Sequence, residues 1–312
     1  MTPAVPANFG RLPKRVTVYE VGPRDGLQNE STVVPTAGKV ALIEALAAAG
    51  LSRIEITSFM RPDRIAPLAD ADVLAAQISP RAGTRFVALI PNQHGLLRAQ
   101  AAKLAEVAVV LSASETHNKK NINRSVAESL AEFRTLIPAA RQAGISVRAY
   151  ISTVWGCPYE GKVDPQHVLA IARELAGRGA EQISLGDTIG VGTPLQTARI
   201  LEMFLPHFAP EALALHLHDT RGTALSNALV GLQFGITTFD ASVGGLGGCP
   251  YAPGAAGNLA TEDLVYLLHG LGIETGIDLD KLVDAGRLAQ SLVGHSLPGR
   301  YLKAALAAKE KA

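Results

Sequence analysis

Eight short β-branched or apolar runs recur about every 30 residues along the chain, with helical patterns filling the intervals. They cover residues 16–21, 53–57, 85–90, 106–111, 146–151, 181–185, 212–217 and 237–242. Strands separated by helices pair in parallel, because only a crossover of a dozen or more residues brings the next strand back alongside the last. Eight such units either close into a barrel or stay open as a doubly wound sheet. The regular count and spacing favour closure, so the expected class is α/β, a (β/α)8 TIM barrel.

The intervals carry helix punctuation. Pro35-Thr36 opens a helix that Gly50 closes, Ser125 with Glu128 has the spacing of a capping box, and Asp164-Pro165 and Thr193-Pro194 each pair a cap with proline at the first helical position. Thr261 is the expected cap of a later helix. Residues 280–308 carry a further helical pattern broken at Pro298-Gly299. The chain therefore divides into a loose arm at 1–14, a barrel at 15–276 and a helical extension at 277–312 packed on it, all in one domain.

Composition narrows the function. Hydrophobic residues make up 47% and charged residues 18% with few aromatics, which suits a core of Ala, Val, Leu and Ile between helices and a parallel sheet. The formal net charge is +1 and no stretch is dominated by Lys or Arg, so neither nucleic acid nor an anionic membrane is an expected partner. Two cysteines, Cys157 and Cys249, are too few for a disulfide framework, and no apolar run is long enough to span a bilayer. A cytoplasmic location follows as an expectation.

In a barrel, chemistry belongs at the C-terminal ends of the strands. Gly22-Pro23-Arg24-Asp25-Gly26 follows the first strand, Glu55 and Thr57 end the second, Gly186-Asp187 follows the sixth, and His216-Leu217-His218-Asp219 ends the seventh. Two residues apart on a strand, His216 and His218 point to one face and Leu215 and Leu217 to the other. With leucine against the helices, both imidazoles face the barrel interior, where Asp25 would complete three ligands for a divalent metal. A pair of hydrogen-bonded core histidines is the competing reading, and Asp25 by itself fits a β-turn. Arg24 is either a surface charge or an inward guanidinium for a developing oxyanion. Residues 244–254 hold five glycines and two prolines around Cys249, a composition suited to a loop that closes, and match neither glycine pattern that cradles phosphate. Asn258, just beyond, is balanced between turn residue and ligand. Cys157 reads as a buried inert thiol.

Taken together, Val21-Gly22-Pro23-Arg24-Asp25-Gly26-Leu27-Gln28-Asn29-Glu30, His216-Leu217-His218-Asp219-Thr220 and Ser242-Val243-Gly244-Gly245-Leu246-Gly247-Gly248-Cys249-Pro250-Tyr251-Ala252 resemble the hydroxymethylglutaryl-CoA lyase family. Lys119-Lys120-Asn121-Ile122-Asn123, Gly156-Cys157-Pro158-Tyr159-Glu160-Gly161 and Ser184-Leu185-Gly186-Asp187-Thr188-Ile189-Gly190 extend the resemblance, which runs from about residue 16 to 276. The cysteine loop separates that family from barrel enzymes of the isopropylmalate or homocitrate synthase type, which condense acetyl-CoA with 2-oxo acids. A barrel that binds metal or acyl-CoA without catalysis is the remote alternative.

The resemblance implies cleavage of 3-hydroxy-3-methylglutaryl-CoA, or of a longer 3-alkyl relative, to acetyl-CoA and a 3-oxo acid, as in leucine degradation and ketone-body formation. It implies Mg2+ or Mn2+ on Asp25, His216, His218 and Asn258, and catalysis by Arg24, Asp25, His216 and Cys249. It also implies substrate contacts at Arg24, Gln28, Glu55, Arg148, Tyr150 and Asp187, and a homodimer. Lys119 and Lys120 are the nearest basic pair for the phosphates of CoA, or simply a solvated surface pair. Gly244 stands where many members have Ala, and Arg221 follows the His-Asp-Thr segment.

Overall fold

The computed structural model describes residues 12–247 and 257–309. Eight parallel strands close into a barrel in sequence order: β1 (Thr17–Glu20), β2 (Arg53–Ser58), β3 (Arg85–Leu89), β4 (Glu106–Ser112), β5 (Ser146–Ser152), β6 (Gln182–Asp187), β7 (Leu213–Leu217) and β8 (Thr238–Ala241), with β8 returning to pair β1. The intervening helices are α1 (Thr36–Ala48), α2 (Ala71–Gln77), α3 (Gln93–Ala101), α4 (Glu115–Ile122), α5 (Val126–Gln142), α6 (Pro165–Gly177), α7 (Pro194–Phe204), α8 (Ala224–Gln233) and α9 (Thr261–Gly270).

The local signals act where expected. Ser125 and Glu128 close a reciprocal cap on α5, Asp164 accepts the Gln166 N–H to start α6, and Thr193 with Gln196 caps α7. Thr261 differs: it is the first residue of α9, not its cap, and its hydroxyl donates to Glu20 across the barrel mouth at 2.6 Å. Lys119 and Lys120, expected in a loop after β4, lie on α4, whose cap Ser114 accepts the His117 N–H.

Alternation along the strands makes two unlike layers. Outward residues such as Ile54, Ile56, Val107, Val109, Ile183, Leu215, Leu217 and Phe239 join the helices in one aliphatic core. Inward positions are largely polar, with Glu55, Arg148, Ser184 and Asp240 each at most 1% exposed, beside a small apolar group of Tyr19, Val21, Val87, Leu89, Ala108 and Tyr150. Buried charge at these positions persists only because each group meets a partner.

Beyond α9 the chain continues into α10 (Leu279–Val293) and α11 (Arg300–Lys309). The former packs on α1, where Gly38 leaves room for Leu292, and the latter packs on α9 and α10. The connection between them reaches the barrel mouth, where the Gly299 N–H donates to the Gly244 carbonyl at 2.7 Å.

Candidate active site

The segment after β1 winds into one wide helical turn, with the Arg24, Asp25 and Gly26 N–H groups all donating to the Val21 carbonyl. That turn replaces the expected β-turn and swings Arg24 and Asp25 over the barrel axis. The Arg24 Nε donates to Glu55 and its Nη1 to Asp25 at 2.6 Å, while the guanidinium lies 5.7 Å from the Tyr150 ring centre. The Tyr150 hydroxyl donates to the other Glu55 oxygen at 2.5 Å. Burial works against charge on Arg24, but the two carboxylates outweigh it and lock the guanidinium in its charged form.

Both histidines point inward as strand parity requires, Leu215 and Leu217 being buried against the helices. Their Nε2 atoms lie 3.2 Å apart, and Asp25 Oδ2 is 4.0 Å from His216 Nε2. Residues 257–259 come back beside the end of β7: the Asp219 N–H donates to the Gly257 carbonyl and the Leu259 N–H to the Leu217 carbonyl. This places Asn258, 3% exposed, opposite His218, with its amide donating to Asp25 at 2.9 Å and to the Leu246 carbonyl at 3.2 Å. Asn258 is therefore part of the cluster and not a solvent-facing turn.

Donor atoms of Asp25, His216 and His218 lie within 4.8 Å of one another. Burial raises the Asp25 carboxyl, but Arg24, both histidines and the Asn258 amide pull it well below the usual carboxylate range, so it is ionised. Burial, with His216 next, pushes His218 down to about 4 against the pull of Asp25, so its imidazole is neutral. His218 Nδ1 is buried without a hydrogen-bond partner among the described residues. One anionic oxygen and two imidazoles converging around a polar void fit a divalent cation with positions left open for substrate.

A cavity of about 170 Å3 opens on this cluster, lined by Arg24, Asp25, Gln28, Tyr150, His216 and His218 among others. Three expected substrate residues stand behind its wall. Glu55 holds Arg24 and Tyr150, Arg148 is bonded to Asp240 and to the Tyr150 hydroxyl, and Asp187 accepts the Val191 and Gly192 N–H groups, pinning the loop after β6. Cys249 lies outside the described residues. Cys157 is buried, with its sulfur 3.0 Å from the Ser114 hydroxyl. Arg221 donates to the Ile189 and Gly190 carbonyls, tying the loops after β6 and β7 together.

Other residues were missed. Asp240 on β8 contacts His216, and its only sequence signal was an acid within the eighth strand at inward parity. His117 on α4 lines the cavity with its Nδ1 2.6 Å from the Ser112 hydroxyl. Arg61, Arg64 and Arg124 join Lys120 around an adjoining cavity of about 510 Å3.

Residues 15–289 match the family described as HMGL-like. The chain belongs to that family. Hydroxymethylglutaryl-CoA lyase YngG of Bacillus subtilis (strain 168) is 49% identical over 291 residues, which is 93% of this chain and 97% of that protein. Among solved structures, the hydroxymethylglutaryl-CoA lyase of Pseudomonas aeruginosa superposes with a TM-score of 0.92 at 49% identity, covering 95% of this chain and 99% of that one. An HMG-CoA lyase of Acinetobacter baumannii, in complex with coenzyme A and 3-methylmalate, superposes at 0.89 with 42% identity, covering 93% and 95%. The described matches to HMGL-like relatives thus span the whole barrel and reach α10.

Proposed function

We propose that this chain cleaves 3-hydroxy-3-methylglutaryl-CoA to acetyl-CoA and acetoacetate, with Mg2+ or Mn2+ held by Asp25, His216, His218 and Asn258. The observation that carries the reading is the meeting of an ionised carboxylate, a charged guanidinium and two imidazoles at the mouth of a barrel belonging to this family.

A divalent cation bound there would lower the pKa of the substrate's C3 hydroxyl. Asp25 takes the hydroxyl proton, the C3 carbonyl forms, and the C2–C3 bond breaks with its electron pair moving into the thioester as an enolate. Arg24, fixed by Glu55, directs positive charge at the enolate oxygen. Cys249 returns a proton to C2, which completes acetyl-CoA, while His216, whose Nδ1 faces Asp240, serves as a metal ligand. Gln28 and Tyr150 contact the substrate from the cavity wall, while Glu55, Arg148 and Asp187 act through the groups they hold.

The adjoining cavity suits the CoA arm. Lys120, Arg61, Arg64 and Arg124 border it, offering positive charge to phosphates, whereas Lys119 does not border it.

Two mixtures separate the lyase from a condensing enzyme. With 3-hydroxy-3-methylglutaryl-CoA and Mn2+, acetoacetate accumulates and a thiol reagent stays silent. With acetyl-CoA and a 2-oxo acid nothing is released. Free CoA thiol in the second mixture, or no acetoacetate in the first, would overturn the proposal.

A further inference from the structure

The two histidines of the cluster are built differently. His216 on β7 stands in register with Asp240 on β8, and its Nδ1 lies 3.1 Å from Asp240 Oδ2. The same oxygen accepts the Ser184 hydroxyl at 2.9 Å, while the other Asp240 oxygen is bonded to the Arg148 guanidinium. Arg148 is itself clamped, 3.8 Å from the Tyr19 ring centre and bonded to the Tyr150 hydroxyl. Asp240 and Arg148 are each 1% exposed, so this carboxylate cannot rotate away without stranding a guanidinium. His218, two residues along, has no such partner among the described residues: its Nδ1 meets no hydrogen-bonding group there.

We propose that Asp240 is a positioning residue: bound by Arg148 and Ser184, it fixes the His216 ring as the Nδ1–H tautomer and presents the Nε2 lone pair to the metal site, leaving His218 as the adaptable ligand. The chemistry leaves one assignment. An ionised carboxylate only accepts hydrogen bonds, so an imidazole nitrogen at hydrogen-bond distance from it carries the hydrogen. With Nδ1 carrying the hydrogen, Nε2 is the nitrogen that can offer a lone pair to a metal, and it is directed at the space shared with His218 and Asp25. Outer carboxylates orient metal-binding histidines in this way. No carboxylate among the described residues stands behind His218; the His216 lone pair 3.2 Å away holds its hydrogen on Nε2, and only His218 must give up that hydrogen to bind a metal.

The proposal rests on the metal reading above, and the test keeps the two apart. Nitrogen-15 NMR of the histidine rings in metal-free protein shows His216 in the Nδ1–H form and His218 in the Nε2–H form, its Nε2–H donating to His216 Nε2 until metal binds. A His216 spectrum of the Nε2–H form would overturn the assignment with no variant needed. Asp240→Asn alone leaves a buried guanidinium unpaired, so Arg148→Met with Asp240→Asn is the informative variant. In it the His216 preference is lost and the Kd for Mn2+ rises about 10- to 100-fold. If Asp240 served only to neutralise Arg148, the double variant would keep both the tautomer and the wild-type Kd, and the proposal would fall. Wild-type protein that binds no Mn2+ while keeping the tautomer pattern would instead count against the metal reading.

Discussion

At the residue scale Arg24 is defined by geometry as much as by charge. Its fork spans Glu55 and Asp25 at once, which a lysine ammonium on a flexible stem cannot do. Arg24→Lys is expected to lower kcat by about 10²–10³, the loss typical for one oxyanion-stabilising donor, with little change in the circular dichroism of the fold. Steady-state turnover beside a melting curve decides it: near-normal kcat in a folded variant would remove Arg24 from the chemistry. Much of this site was legible residue by residue. Strand parity alone turned His216 and His218 inward, and the Arg24-Asp25 pair was placed at the right strand end. Asn258 and Asp240 were not resolved, because their roles depend on which distant side chain each meets. Arg148 and Asp187 shared the correct face or loop, yet parity carries no information on depth, and both lie behind the wall.

At the element scale the mouth is held by contacts between segments. Gly244 adopts φ +63°, a left-handed conformation, and a Cβ there would fall on Leu297 of the segment joining α10 to α11. Gly244→Ala is therefore expected to destabilise the protein by about 1–3 kcal/mol, from positive-φ strain and overpacking together. Adding Leu297→Ala recovers the overpacking share. Urea unfolding of both variants measures this, and a neutral single variant would mean that the α10–α11 connection yields freely. The C-terminal helices thus shape the barrel mouth, which helical periodicity within residues 280–308 could not reveal.

Glu262 of α9 belongs to the same junction. Its Oε2 accepts the Gly244 N–H at 2.7 Å and its Oε1 is buried without a partner among the described residues, while Glu20 accepts from Gly22, Val243 and Thr261. Burial, with Glu20 adding to it, raises Glu262 from 4.5 to about 8; burial also raises Glu20 to about 7 against its hydrogen bonds. Each folded carboxyl keeps its proton where the unfolded one has lost it. The contribution of these two groups to stability is consequently full below about pH 4.5, is lost as pH rises through 5 to 7 with both taking part, and is lost further to about 8 through Glu262. The slope is up to about 1.4 kcal/mol per pH unit for each proton. Unfolding free energies at pH 5, 7 and 9 should show a shallower decline for Glu262→Gln, and parallel declines would sink this assignment.

For the whole molecule, the aliphatic layer between strands and helices is complete without the cluster at the mouth. Metal removal is therefore expected to abolish turnover and leave the fold standing. Chelation followed by Mn2+ should restore activity, and Mn2+ at a hundredfold excess over its Kd should raise the unfolding free energy by about 2.7 kcal/mol. Full activity in chelator-treated protein would contradict the metal reading. Among the described residues no helix is long and apolar enough to cross a membrane.

Alternation of strand and helix, the caps at Ser125, Asp164 and Thr193, and the inward parity of His216 and His218 are written in residues a few positions apart, so the sequence by itself determined the strands, most helices and the face each side chain takes. Boundaries agreed with the structure to within about two residues, because period and turn chemistry act locally. Whether Asp25 meets Asn258, 233 positions away, or Asp240 meets His216 on the neighbouring strand, depends on closure, register and the wide turn after β1. Only the tertiary structure decided those meetings, because a partner across the barrel leaves no periodic trace in the segment that receives it.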